Sequence, residues 1–190
     1  MFDEREVPLT EEQRSVLIGS LLGDGSMRCK TNALLEVNHS IAQRTYVDWK
    51  YRVFADLVRT PPTARDGNGA RVAYRFVTRS LPVLTPYYRS FYPAGRKVVP
   101  DVELTPLALA VWLMDDGGRS RTSAYLNTQQ FSVEDQWKLV AILDRQFGIA
   151  ATLNRDRSYF RLRVAVASIS RLRDLVVPHL LPELAYKLPS

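Results

Sequence analysis

Cysteine is nearly absent. Cys29 stands alone among 190 residues, so neither an internal disulfide nor a zinc–thiolate site can form. Histidine is almost as scarce, and His39 and His179 lack the spacing of a metal-binding pair. No apolar run approaches the roughly 20 residues that a bilayer span requires, so no membrane partner is expected. The start, Met1-Phe2-Asp3-Glu4-Arg5-Glu6, has neither a secretory apolar core nor an Arg/Ser-rich transit pattern. An intracellular location without a signal peptide is expected, with bacterial cytoplasm and organelle-encoded origin both open. Acidic residues are the minority, 20 against 26 basic ones, leaving a net charge of +6. That surplus suits nucleic acid ahead of a membrane surface, and it equally suits a basic protein with no polyanionic partner. A hydrophobic content of 46% is ordinary for a packed core, and the length accommodates one domain or two small ones.

Two stretches stand out. Leu17-Ile18-Gly19-Ser20-Leu21-Leu22-Gly23-Asp24-Gly25 is an apolar helical segment ending in an acid and a glycine. Gly19 and Gly23 lie on one helix face, where another backbone can approach closely. Gly25 suits a left-handed cap that would stop the helix just after Asp24. A carboxylate at that negative end of the helix dipole costs about 0.3–1 kcal/mol, which suggests a cation. Leu109-Ala110-Val111-Trp112-Leu113-Met114-Asp115-Asp116-Gly117 repeats the pattern. Two such helices packed face to face would bring Asp24 and Asp116 together. Paired carboxylates repel unless a cation bridges them, and oxygen ligands with open water positions suit Mg²⁺.

At these residues the chain resembles the LAGLIDADG homing endonucleases in their two-motif, single-chain form. The second copy departs from the first, with Val111 and Asp115 in place of Gly19 and Gly23. Phe91-Tyr92-Pro93, Lys97 with Pro100, and the closing Tyr186-Lys187-Leu188 extend the resemblance over nearly the whole chain. It implies that Asp24 and Asp116 bind the metal, assisted by the carbonyls of Gly23 and Asp115. The extra Asp115 carboxylate is equally read as a local cap. The resemblance also places Lys97 and Lys187 beside the scissile phosphates, and Ser40 and Gln130 as water-positioning residues. A one-residue shift would put His39 or Gln129 in that last role.

Local signals divide the chain. Thr10-Glu11-Glu12-Gln13 is a capping box opening a helix over 11–24. Strands follow at 26–30 and 34–40, then a helix over 42–58 with Tyr46, Trp49, Val53 and Leu57 on one face. Asp66-Gly67-Asn68-Gly69 makes a turn before a strand at 71–79, and a short helix begins at Ser80. Thr105-Pro106 opens the second motif helix. The same order then repeats: strands at 119–121 and 124–130, a helix from Ser132 closed by Gly148, strands near 151–154 and 158–167, and a helix capped by Ser168. Offsets between equivalent residues run from 88 to 92, the mark of a duplicated subdomain. The expected fold is α+β: two pseudo-twofold-related αββαββα halves, 1–95 and 104–190, joined by a linker at 96–103. Their antiparallel sheets would form a DNA-binding saddle. Trp49, Trp112 and Trp137 fall at core spacing.

Basic residues gather on the strands. Arg155, Arg157, Tyr159, Arg161 and Arg163 recur at a two-residue period, which places them on one sheet surface opposite Phe160, Leu162 and Val164. Arg71, Arg75 and Arg79 do the same in the first half, and Arg28/Lys30 and Arg119/Arg121 follow each motif. Solvated faces normally mix charge signs. A ribbon of one sign fits the DNA major groove, where arginine pairs with guanine, while other arginines hold phosphates. With the family resemblance, the reading is a monomer expected to hydrolyse both strands of one long duplex with Mg²⁺, leaving short 3′ overhangs as that family does. An intron RNA maturase, with intron RNA as partner, and a non-catalytic DNA-binding regulator are the rivals.

Overall fold

The computed structural model describes residues 8–67 and 71–189. The acidic start Met1–Glu6 and the turn residues Asn68 and Gly69 lie outside them. The chain divides into two units, Met1–Ser90 and Phe91–Ser190. The first runs α1 (Glu11–Leu22), β1 (Ser26–Cys29), β2 (Ala33–Ser40), α2 (Arg44–Val53), β3 (Thr63–Asp66), β4 (Val72–Val77) and α3 (Thr85–Phe91), whose last residue crosses the division. The second runs α4 (Pro106–Asp116), β5 (Gly117–Arg119), β6 (Ala124–Leu126), α5 (Val133–Phe147), β7 (Ala151–Asp156), β8 (Tyr159–Val164) and α6 (Ile169–Val176). Each holds a four-stranded antiparallel sheet, ordered β1-β2-β4-β3 in one and β5-β6-β8-β7 in the other. The α+β class is as expected. Among the described residues no helix is long and apolar enough to cross a membrane.

Helix starts obey their local chemistry. The Gln13 amide donates to Thr10 Oγ1 at 3.1 Å, and the Thr10 amide donates to Gln13 Oε1 at 3.1 Å, closing the capping box. Thr105 Oγ1 accepts from the Ala108 amide at 3.1 Å beside Pro106, and Ser132 Oγ accepts from the Asp135 amide at 3.1 Å. Gly148 closes α5 in the left-handed conformation, φ 64°. The two motif helices are buried all round rather than along one stripe, with residues 108–114 of α4 at zero exposure.

The ends of the motif helices differ from expectation. Gly23, not Gly25, caps α1, at φ −101°. Gly25 is glycine for lack of room: its amide donates to the Ser20 carbonyl at 2.7 Å, and a Cβ there would lie 2.8 Å from that oxygen. Gly117 repeats this on α4, where a Cβ would overlap the Leu113 carbonyl. The strand expected to reach Gln130 stops at Leu126. The helix expected over 42–58 narrows to α2 between two 3₁₀ turns. Ser168 does not cap α6 with its side chain; its Oγ accepts from the Ala150 amide at 3.0 Å instead. Trp112 is in the core, but Trp137 is 53% exposed on α5.

Register sets which side chains share a face, because directly opposed residues of antiparallel strands point the same way. In the first sheet Met27, Leu35, Val37, His39, Tyr74 and Phe76 point inward. Arg28, Glu36, Asn38, Ser40, Thr63, Arg65 and Arg75 take the other face. In the second sheet Leu126, Leu162 and Val164 are buried, and Tyr125, Tyr159, Arg161 and Arg163 lie opposite.

Candidate functional site

In the first unit Asp24 follows the cap of α1, with its side chain 47% exposed. Its Oδ2 lies 3.5 Å from Nδ1 of His39, an inward-facing residue of β2 that is only 6% exposed. The imidazole sits 5.2 Å from the Tyr46 ring, and Tyr46 in turn lies under the Lys50 ammonium at 4.5 Å. Lys50 is fully buried, a lysine its helix gave no reason to place inside. Ser40, one residue beyond His39, faces the other way and its Oγ accepts from the Ala42 amide at 3.4 Å. Asp24, His39, Ser40, Gln43 and Arg71 line one hollow of about 470 Å³. His39 is therefore in contact with the acid, while Ser40 shares the hollow. Opposite His39 in register is Tyr74. Burial, reinforced by the bond its hydroxyl donates to Asp48 Oδ1 at 2.9 Å, raises the Tyr74 pKa above the ordinary phenol value.

The second unit supports its acid differently. Asp116 is the last residue of α4, and Gln130 Nε2 donates to its Oδ2 at 3.3 Å. Gln130 Oε1 accepts from Lys97 Nζ at 3.1 Å, so one amide links an ammonium to a carboxylate. Lys187 has a separate task. Only 7% exposed, it donates to the carbonyls of Met114 and Asp115, the latter at 2.7 Å. A cation on the last carbonyls of a helix offsets the negative end of its dipole. Lys97 and Lys187 thus have unlike surroundings despite their similar spacing from each half's motif. The Asp115 side chain is itself buried. Asp24 and Asp116 are partly open to solvent, and hard oxygen donors with room for water fit an octahedral Mg²⁺.

The strand arginines do not form one ribbon. Residues 157–158 are the turn between β7 and β8, and Arg157 takes φ 55°. Crossing that turn inverts the alternation: Arg155 pairs with Phe160 and shares its face, opposite Arg161 and Arg163. Arg161 lies 4.1 Å over the Tyr125 ring and 3.7 Å from Asp156. Arg163 Nε donates to Ser123 Oγ at 3.4 Å, and Tyr159 is 61% exposed. Arg119 ends β5, and Arg121 lies in the connection to β6. In the first sheet only Arg75 of its expected trio lies within β4; Arg71 precedes the strand and Arg79 follows it, donating to the Asp56 carbonyl at 2.9 Å. Lys30 follows β1. Sequence reading missed Arg65 and Thr63 on β3, whose alternation was the available signal, and missed Glu36 among the arginines.

The LAGLIDADG DNA endonuclease family matches residues 14–172. The chain is 29% identical over 198 residues to the cytochrome b mRNA maturase bI2 of Debaryomyces hansenii, covering 95% of this chain and 75% of that protein. It is 27% identical over 197 residues to the probable intron-encoded endonuclease 1 of Wickerhamomyces canadensis, covering 95% and 85%. It spans about half of the RecA proteins it also resembles, 48% of that from Mycobacterium gastri. The fold is similar to that of the homing endonuclease I-WcaI bound to its DNA recognition sequence, with TM-score 0.89, 24% identity, and coverage of 96% of this chain and 88% of that one. It is also similar to I-DmoI in complex with DNA and Ca, with TM-score 0.62, 14% identity, and coverage of 92% and 95%.

Proposed function

The chain belongs to the LAGLIDADG DNA endonuclease family, and from that premise we propose that it is a Mg²⁺-dependent homing endonuclease. It acts as a monomer, hydrolyses both strands of one long duplex target and leaves short 3′ overhangs. The observation that carries this reading is the end of each motif helix: a half-open carboxylate held by a polar side chain of its own unit. Bound Mg²⁺ would neutralise charge on the phosphodiester and lower the pKa of a water. In each unit the motif acid, Asp24 or Asp116, would hold an ion, with the carbonyl of Gly23 or Asp115 assisting. His39 orients the Asp24 carboxylate, Ser40 presents a hydroxyl to the same hollow, and Gln130 orients Asp116 while holding a water. Lys97 places its positive charge beside the phosphate, where it stabilises developing charge, and Lys187 fixes the carbonyls ahead of Asp116.

The sheet faces supply binding. Arg28, Arg75, Tyr159, Arg161 and Arg163 face the duplex, and Lys30, Arg71, Arg79, Arg119, Arg121, Arg155 and Arg157 reach phosphates around it. The resemblance to an mRNA maturase favours a second reading, in which these surfaces also hold intron RNA. Cleavage of a randomised duplex library with Mg²⁺ tests the first reading. Asp24→Asn and Asp116→Asn should each abolish double-strand cutting and leave specific binding within a few-fold. Near-parental cutting by either variant would refute the assignment.

A further inference from the structure

The arginines of the first sheet fall into two chemically different groups, and Glu36 makes the division. Glu36 sits on β2, between β1 and β4, on the face away from the core. Its Oε2 accepts from Arg28 Nη2 at 2.9 Å and its Oε1 from Arg75 Nη1 at 3.0 Å. Both oxygens are therefore engaged, and the carboxylate is only 16% exposed, against 67% for Arg28 and 32% for Arg75. Past Arg75, toward the edge strand β3, a hollow of about 250 Å³ is lined by Arg59, Thr63, Arg65, Arg75 and Arg79 and, among the described residues, by no acid.

A carboxylate on a DNA-facing surface repels phosphates, so attraction alone gives no reason for it. Geometry does. A long arginine side chain loses rotamer freedom when it docks, and one already held loses less. The bond to Glu36 uses one of five N–H donors on each arginine, leaving each fork able to meet guanine O6 and N7. The half-buried acid also penalises any register that would press a phosphate onto it. The hollow is the opposite case: guanidinium groups that repel one another around a space with room for a phosphate, a repulsion relieved when an anion enters.

We propose that Glu36 is a specificity-determining residue: it braces Arg28 and Arg75 as a rigid pair that reads adjacent base edges in the major groove, while the acid-free hollow takes one backbone phosphate through Arg59 and Arg65. The proposal rests on duplex DNA being the partner.

The test is binding selection from a randomised duplex library by the full chain, in EDTA, with the salt dependence measured on the selected site. Glu36→Gln should keep or raise total affinity yet lose about tenfold in discrimination at one or two adjacent base pairs. Glu36→Asp, too short to reach both arginines, should do the same, with thermal melts showing both variants folded. Replacing Arg59 and Arg65 by Ala should weaken all sequences alike and flatten the salt slope by about 0.9 for the lost phosphate. An unchanged base profile in folded Glu36→Gln, or a loss spread evenly over all sequences, overturns the brace. A change of base preference in the Arg59/Arg65 variant overturns the phosphate assignment. A parent that selects no sequence overturns the DNA reading and this inference with it.

Discussion

Asp24 and Asp116 end comparable helices but are held by different groups, an imidazole in one unit and an amide tied to a lysine in the other. Losing a side chain that orients a metal-binding carboxylate typically costs 10–100-fold in activity. Gln130→Ala should therefore slow cutting by about 10–100-fold while target binding stays within twofold, measured by single-turnover cleavage and gel shift. Tyr74 gives a second prediction. Its buried phenol keeps its proton above the pH at which an unfolded-state tyrosine loses one, near 10. Between those two values the unfolded state binds fewer protons, so stability falls as pH rises through about 10. Tyr74→Phe should remove that share of the alkaline loss, read from melting temperatures across pH 8–11. The motif acids themselves were legible in sequence, since each ends a nine-residue apolar pattern. Gln130, and His39 as an alternative, were named there too, but not the contacts they make. Lys187 meets the Asp115 carbonyl across 72 positions, and His39 faces Asp24 only because β2 turns that side chain inward.

Elements were legible where the signal is local. Capping hydroxyls at Thr10, Thr105 and Ser132 marked three helix starts because the bond closes within three residues. Alternation along strands failed where a turn intervened: the odd positions 155–163 look continuous, yet the hairpin at 157–158 reverses which face they occupy. Gly25 was read for the wrong property, backbone handedness rather than space, and Gly117 has the same steric need. Gly117 has φ −73° and ψ 150°, values any residue adopts, so its need for glycine is purely steric. Gly117→Ala should destabilise the protein by about 1–3 kcal/mol through the overlap with the Leu113 carbonyl. Gly118→Ala, next in the chain and with nothing within 4 Å of the place its Cβ would take, is the control and should be near neutral. Urea titration of both variants checks the pair.

For the whole molecule, the duplication was visible as near-constant offsets, and it returns as two sheets with the same strand order. If the chain binds duplex DNA as proposed, its affinity should fall with salt at a slope near −0.9 for each phosphate engaged, contacts that the net charge of +6 favours. If the folded protein binds Mg²⁺, the ion should stabilise it by about 2.7 kcal/mol at 100 times its dissociation constant. Melts in EDTA and Mg²⁺ should show that gain in the parent and less of it in Asp116→Asn. Helix α5 packs on β7 and β8 through Leu139, Ile142 and Leu143, so Trp137 points away from the sheet that bears Arg161 and Arg163. The protein therefore carries its own optical contrast. A collisional quencher should reach the fluorescence of Trp137 equally with and without DNA, while Trp112, at zero exposure, should stay dark to it until the chain unfolds.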